Sequence, residues 1–384
     1  MKNLTVFLLL STLLPSACKS VKNIFDNKTP HEQYAEKLED KHLDETPEGR
    51  QWLAASKRAL GDAQAIQLPY RQIGYFHPQR ADALALQFKA DFGERITFEL
   101  LKKSGTPFVI FADLFKQDEK TSHLLSADTT SDQFSFDVDE TCTYLLRLQP
   151  QLFNKGEYSL SVSVGPSLGF PVSGSKASVG SFWGDDRDGG KRPHEGIDIF
   201  APKLTPAVAG ADGVVTGVKE GGLGGKSVWM RVNDKNNFLY YAHLDKQLVQ
   251  EGQPVKKGEV VGLVGNTGNA KNTPSHLHFG VYTLNGPVNP LPFVNRTIKT
   301  APAVPTKNLT TSLKLIKTQK TAEGVLVKAN TELVPLAVNG NGYIAELPDG
   351  SIIQTSFSSV KVMPQPLKQL PASVASSAVE TKRF

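Results

Sequence analysis

The chain has 384 residues, and its 43 Lys and Arg against 38 Asp and Glu give a formal charge of +5. No basic run is long enough to argue for a nucleic-acid partner, so none is expected. With only two cysteines, Cys18 and Cys142, a disulfide framework and a thiolate metal site are excluded, while the length leaves room for two or three cores.

At the N-terminus, Lys2 precedes an apolar run from Leu4 to Leu14 and then Pro15-Ser16-Ala17-Cys18. The run is too short to span a membrane as a stable helix. It resembles a bacterial lipoprotein signal peptide over residues 1–17, which implies cleavage before Cys18 and acylation of its sulfur. Pro15 departs from that pattern, since the usual Leu sits three residues before the Cys and Leu14 is one further out. Residues 18–66 then read as a lipidated N-terminus and a helical segment. Thr29-Pro30-His31-Glu32 has the form of a capping box with proline at the first helical position, and Thr46-Pro47-Glu48 makes a second start. Two short helices fit residues 29–65.

From 67 to 166 the apolar period becomes two. Leu84, Leu86, Phe88, Ala90 and Phe92 alternate with other residues, as do Tyr158, Leu160, Val162 and Val164. The pattern predicts a β-sandwich accessory domain. Cys142, in the strand-like T-C-T-Y-L-L-R-L, reads as a small core residue.

Chemistry concentrates between 167 and 298, where four of the eight histidines occur in R-P-H-E-G-I-D-I-F, Y-Y-A-H-L and P-S-H-L-H-F-G. Read as a strand, the first string puts His194, Gly196 and Asp198 on one face and Ile197 and Ile199 on the other. In the third string His276, His278 and Gly280 share a face opposite Leu277, Phe279 and Val281. Zinc catalysis needs three protein ligands and an open position for water, which two imidazoles and a carboxylate satisfy. One alternative stays open, in which both histidines of the H-L-H pair bind the metal and Asp198 supports them from behind. Gly252, Gly258, Gly262, Gly265 and Gly268 recur between short apolar runs and read as turns that use positive φ. G-N-T-G-N-A lacks the Lys-Ser/Thr of a phosphate loop and reads as a turn.

These strings, together with V-K-K-G-E-V-V-G-L-V-G-N-T-G-N-A, resemble in content and order the lysostaphin-type, or LytM-type, zinc metalloendopeptidases, a family of peptidoglycan hydrolases. The resemblance implies a single zinc ion held by His194, Asp198 and His278, with His243 and His276 as catalytic residues beside the open position. It implies peptidoglycan stem-peptide cross-links as substrate, cut by metal-activated water. The modular lipoprotein context resembles the double-membrane type, which implies a place in the cell envelope, lipid-anchored to the outer membrane and facing the periplasm. The alternative is an autoinhibited or non-catalytic LytM-type module that binds the wall and recruits or activates another hydrolase.

Residues 299–310, rich in Pro, Ala, Thr and Lys, read as a linker. From 311 to 364, short strands with Asn-Gly and Asp-Gly turns predict a small β-barrel resembling the Src-homology type, with Tyr343 and Phe357 either exposed aromatics that could bind wall peptide or members of an ordinary small core. Residues 365–384 read as a disordered tail. The expected fold is mainly β and multidomain: short N-terminal helices, a β-sandwich, a LytM-type β-sheet peptidase domain and the small barrel.

Overall fold

A computed structural model describes residues 28–77, 80–103, 108–321 and 324–366. The expected leader, Cys18 and nearly all of the tail lie outside the described residues. Among those described, no helix is long and apolar enough to cross a membrane.

Helices form where the caps direct. Thr29 caps Pro30–Asp40 in a complete capping box, its hydroxyl accepting from Glu32 N while the Glu32 carboxylate accepts from Thr29 N at 2.8 Å. Thr46 caps Pro47–Gly61 by accepting from Gly49 N. Each cap satisfies backbone donors the first turn cannot. The helices dock through Trp52, which is fully buried, donates Nε1–H to the Pro150 carbonyl (2.8 Å) and stacks on His31 with ring centroids 4.7 Å apart. Leu38, Phe111 and Leu152 complete this small core.

Strand alternation builds the next unit as two sheets. One holds Gln64–Ala65, Leu84–Ala90, Cys142–Pro150, Ile110–Gln117 and Thr121–Ser126 in that order. The other runs Tyr70–Phe76, Gly156–Pro166, Glu94–Lys103, Gln133–Asp137. Leu86, Phe88, Tyr144 and Leu146 of the first share a core with Phe98, Leu160 and Val162 of the second. Cys142 is a free thiol packed against that core. Phe92, expected to continue the alternation, lies past the end of its strand and meets Phe293 instead (centroids 4.9 Å).

The C-terminal strands Thr311–Leu315, Glu332–Asn339, Gly342–Glu346, Ile352–Thr355 and Val360–Pro366 surround Leu313, Leu333, Val338, Tyr343 and Ile353. Their sheet does not close on itself alone. Glu332–Asn339 pairs antiparallel with Tyr70–Phe76, Ile73 opposite Val338, so one nine-stranded sheet runs through both units. Two expectations are corrected here, and one open alternative is decided. Tyr343 is 3% exposed and belongs to the core, its ring edge-on to Phe357 (5.2 Å). Leu309, inside the expected linker, is buried in the same core. The last strand continues to Pro366, two residues into the expected tail.

Between these units in sequence, the chain forms a ten-stranded sheet whose main path is Ser178–Ser181, Ile197–Phe200, His276–Thr283, Phe238–Gln247, Lys226–Val232, Gly213–Lys219, Pro254–Val255. Its inner face is dry: Ile197, Ile199, Val228, Met230, Leu239, Tyr241, Leu277, Phe279 and Val281 are all fully buried. Period-two alternation then puts His276 and His278 on the opposite face, whereas His243 shares the parity of Leu239 and Tyr241 and joins the other two histidines only through a ladder irregularity at its own positive φ. The sheet is tied to the two-sheet unit by Lys235, which donates to Asp137 Oδ2 (2.6 Å), and by an antiparallel bridge between Val164 and Lys299.

Candidate metal centre

Antiparallel pairing of Ile197–Phe200 with His276–Thr283 sets Asp198 directly opposite His278. Pairing of His276–Thr283 with Phe238–Gln247 sets His278 opposite Ala242, one residue before His243. Non-local register thus gathers residues that are 80 positions apart in sequence.

His194 arrives differently from the expectation. The strand begins only at Ile197, and His194 follows the two-stranded ribbon Asp186–Arg187 with Arg192–Pro193. At the bend between them a Cβ on Gly196 would lie 2.6 Å from His278 Cε1, so glycine lets the His278 ring cover the backbone there.

His194 Nε2, Asp198 Oδ1 and His278 Nδ1 form a triangle with edges of 3.1, 3.0 and 2.9 Å. Three such atoms this close repel one another unless a proton or a metal ion lies among them. A tetrahedral zinc site with bonds of about 2.0–2.1 Å separates its donors by about 3.3 Å, so the triangle is nearly that of a zinc site before any ion enters. Among the described residues this is the group of His, Cys, Asp or Glu side chains that could hold a metal. His276 stands outside the triangle, its Nε2 4.0 Å from Asp198 Oδ1.

Hydrogen bonds from behind fix the ring tautomers. A carbonyl oxygen only accepts, so the contacts of His194 Nδ1 with Phe182 O (2.8 Å), His243 Nδ1 with Thr267 O (2.9 Å) and His276 Nδ1 with Pro274 O (2.8 Å) require Nδ1–H in all three. Each Nε2 therefore keeps its lone pair for the site. The His243 and His276 rings meet edge-on with centroids 5.0 Å apart. Burial, then the neighbouring His276 and His278 rings, push the His243 imidazole down to about 4. Burial also lowers His278. Asp198 is buried too, which alone would raise its carboxyl, but the adjoining His194 and His278 rings prevail and hold it well below the usual carboxylate range.

His243 has φ +61°, an uncommon conformation for a residue with a side chain. Its neighbours enforce it: His243 N donates to Gly224 O (2.8 Å), and Thr267 Oγ1 donates to Leu244 O (2.8 Å) while accepting from Lys226 N. The two loops meet backbone to backbone at Gly225 (φ +61°) and Gly268 (φ +71°), where a Cβ on Gly268 would stand 2.4 Å from Gly225 N. Gly252 and Gly258 also take positive φ, whereas Gly262 and Gly265 do not. Gly265 serves close approach instead, since its Cβ would reach within 2.4 Å of Asp245 N. G-N-T-G-N-A contains a short 3-10 turn, Gly268–Asn272, rather than a plain turn.

Sequence reasoning missed Arg187 and Ser181. Arg187 Nη2 donates to Asp198 Oδ2 at 2.9 Å and to Ser181 Oγ. Both sit in a Gly- and Asp-rich stretch without periodicity, where nothing marks one charge as different from its neighbours.

A family model described as "Peptidase family M23" matches residues 192–290. Over 117 residues the chain is 39% identical to the L-Ala--D-Glu endopeptidase of Bacillus subtilis, covering 28% of this chain and 36% of that one. Over 118 residues it is 35% identical to the peptidoglycan DD-endopeptidase ShyA of Vibrio cholerae, covering 30% and 26%. The match thus spans only about a quarter to a third of these relatives' own length. The catalytic domain of lysostaphin from Staphylococcus simulans is 30% identical, with 30% of this chain and 90% of that domain covered and a TM-score of 0.27. Through residues 192–290 the chain belongs to peptidase family M23, as a LytM-type domain.

Proposed function

We propose that the protein is a zinc-dependent endopeptidase that hydrolyses peptide cross-links of bacterial peptidoglycan. The observation that carries this reading is the His194–Asp198–His278 triangle with the Nε2 lone pairs of His243 and His276 left free beside it. His194, Asp198 and His278 would hold the ion. Bound there, zinc would supply Lewis acidity and an activated water.

The remaining chemistry belongs to the chain. His243, depressed to about 4, is neutral at pH 7 and accepts a proton at Nε2. Once protonated, its Nε2–H can donate to the oxygen of the tetrahedral intermediate and pass the proton to the leaving amine. His276 offers the same atom from the adjacent strand. Their Nδ1–H bonds to Thr267 and Pro274 carbonyls keep both rings aimed while the proton moves.

The M23 match and relatives named as endopeptidases support peptidoglycan as the substrate. On a purified cross-linked muropeptide dimer, a chelator should abolish cleavage and added zinc restore it. Cleavage that continues at full rate after the metal is stripped to undetectable levels would sink the zinc reading.

An envelope location through a lipid on Cys18 is part of the same proposal, supported by the leader-like residues 1–17. Cys18→Ala should move the protein from the membrane pellet to the soluble fraction, and an unchanged pellet would contradict it.

A further inference from the structure

We propose that Arg187 is a positioning residue of the metal centre, holding the Asp198 carboxylate so that Oδ1 alone is turned toward the ion. The inference rests on the reading that His194, Asp198 and His278 hold zinc.

The two oxygens of Asp198 have different surroundings. Oδ1 lies 3.1 Å from His194 Nε2 and 3.0 Å from His278 Nδ1. Oδ2 accepts from Arg187 Nη2 at 2.9 Å. The carboxylate cannot rotate Oδ2 inward without breaking that ion pair, and the pair is sheltered, with 24% of the Arg187 side chain and 12% of the Asp198 side chain exposed. A partly buried, charge-assisted bond of this kind holds geometry far better than an exposed one.

Arg187 is itself braced. Its Nη2 also donates to Ser181 Oγ, and Ser181 is the ladder partner of Asp198 in the neighbouring strand. Ser181 Oγ in turn donates to Asp185 Oδ2 at 2.8 Å. The loop closes on the other ligand as well: His194 N donates to Asp185 O (2.8 Å) and Gly184 N to His194 O (2.9 Å). The ribbon that carries Arg187 therefore clasps His194 and Asp198 together.

Two effects of removing Arg187 oppose each other. Loss of a cation makes the site more negative and by charge alone would tighten zinc. Loss of the brace frees the carboxylate to turn and lets Oδ2 compete for the ion, which degrades the three-donor geometry and weakens it. The positioning role predicts that the second effect wins, with zinc affinity falling about 10–100-fold, the range for partners that orient metal ligands.

The test uses the full-length chain, measuring zinc affinity by competition with a chromophoric chelator and recording the visible absorption of the cobalt-substituted protein. Arg187→Ala should bind zinc about 10–100-fold more weakly, and its cobalt bands should lose intensity as the coordination number rises. Arg187→Lys, which keeps the charge without the planar fork, should recover only part of the loss. Ser181→Ala should shift affinity in the same direction by less, and it carries the comparison if Arg187→Ala does not fold. A parent that binds zinc beside an Arg187→Ala variant that binds it equally well, or more tightly, overturns the positioning role and leaves the zinc site standing. A parent that takes up no zinc overturns both.

Discussion

His276→Ala should leave zinc bound to the full-length chain while cross-link hydrolysis falls by about 10²–10⁴-fold, the usual worth of a general acid or base. The reason is geometric. His276 Nε2 stands outside the donor triangle, 4.0 Å from Asp198 Oδ1, so on this account the ring contributes to proton transfer and not to the ligand count. His243→Ala should behave alike, because that ring too lies outside the group of three close donor atoms. The contrast lies with His194→Ala, Asp198→Ala and His278→Ala. Each removes one corner of the triangle, leaving two donors where a stable zinc site needs three, and metal and activity should disappear together. Metal content by atomic emission beside a rate on a defined muropeptide separates the two groups. Zinc loss in His276→Ala would instead favour the arrangement in which both histidines of the pair are ligands.

Trp52→Ala should cost about 3–5 kcal/mol of stability, as large-to-small changes at fully buried aromatics do. Trp52 is 0% exposed, stacks on His31, lies edge-on to Phe111 and leaves the Pro150 carbonyl without its Nε1–H donor when removed. The helices around it are short, and short helices depend on tertiary packing rather than propensity. Far-ultraviolet circular dichroism during urea unfolding should therefore show an earlier loss of helix, while zinc affinity stays at the parent value because the triangle lies in a different core. A transition unchanged within about 0.5 kcal/mol, the range of a neutral surface substitution, would contradict the docking role of Trp52.

What the sequence made legible was local. The caps at Thr29 and Thr46 announce themselves within four residues, because a cap and the donors it satisfies are neighbours in the chain. Alternation in Leu277, Phe279 and Val281 placed the histidines of that strand on the opposite face, and all three apolar residues are fully buried. The five candidate residues were readable as letters, and the structure gathers His194, Asp198 and His278 at one point with His243 and His276 beside them.

What stayed hidden was non-local or strained. Nothing in Y-R-Q-I-G-Y-F says that it pairs with E-L-V-P-L-A-V-N some 260 residues later, since either stretch alone is simply a strand needing a partner. Phe92 fits the period of its strand, yet it crosses to Phe293 in another unit. Gly196 and the isoleucines suggest a strand through His194, but the strand begins only at Ile197, and the glycine serves to admit the His278 ring. Arg187 gave no signal at all, since its importance depends wholly on the ribbon that folds it back onto Asp198.

The central claim is most directly tested by mass spectrometry of the soluble fragments released from purified peptidoglycan by the zinc-loaded, full-length chain, run beside His276→Ala. The account predicts fragments with severed peptide cross-links in the parent digest and none above background in the variant. Intact cross-links in both digests, with zinc bound in both proteins, would contradict an endopeptidase and leave a wall-binding module in its place.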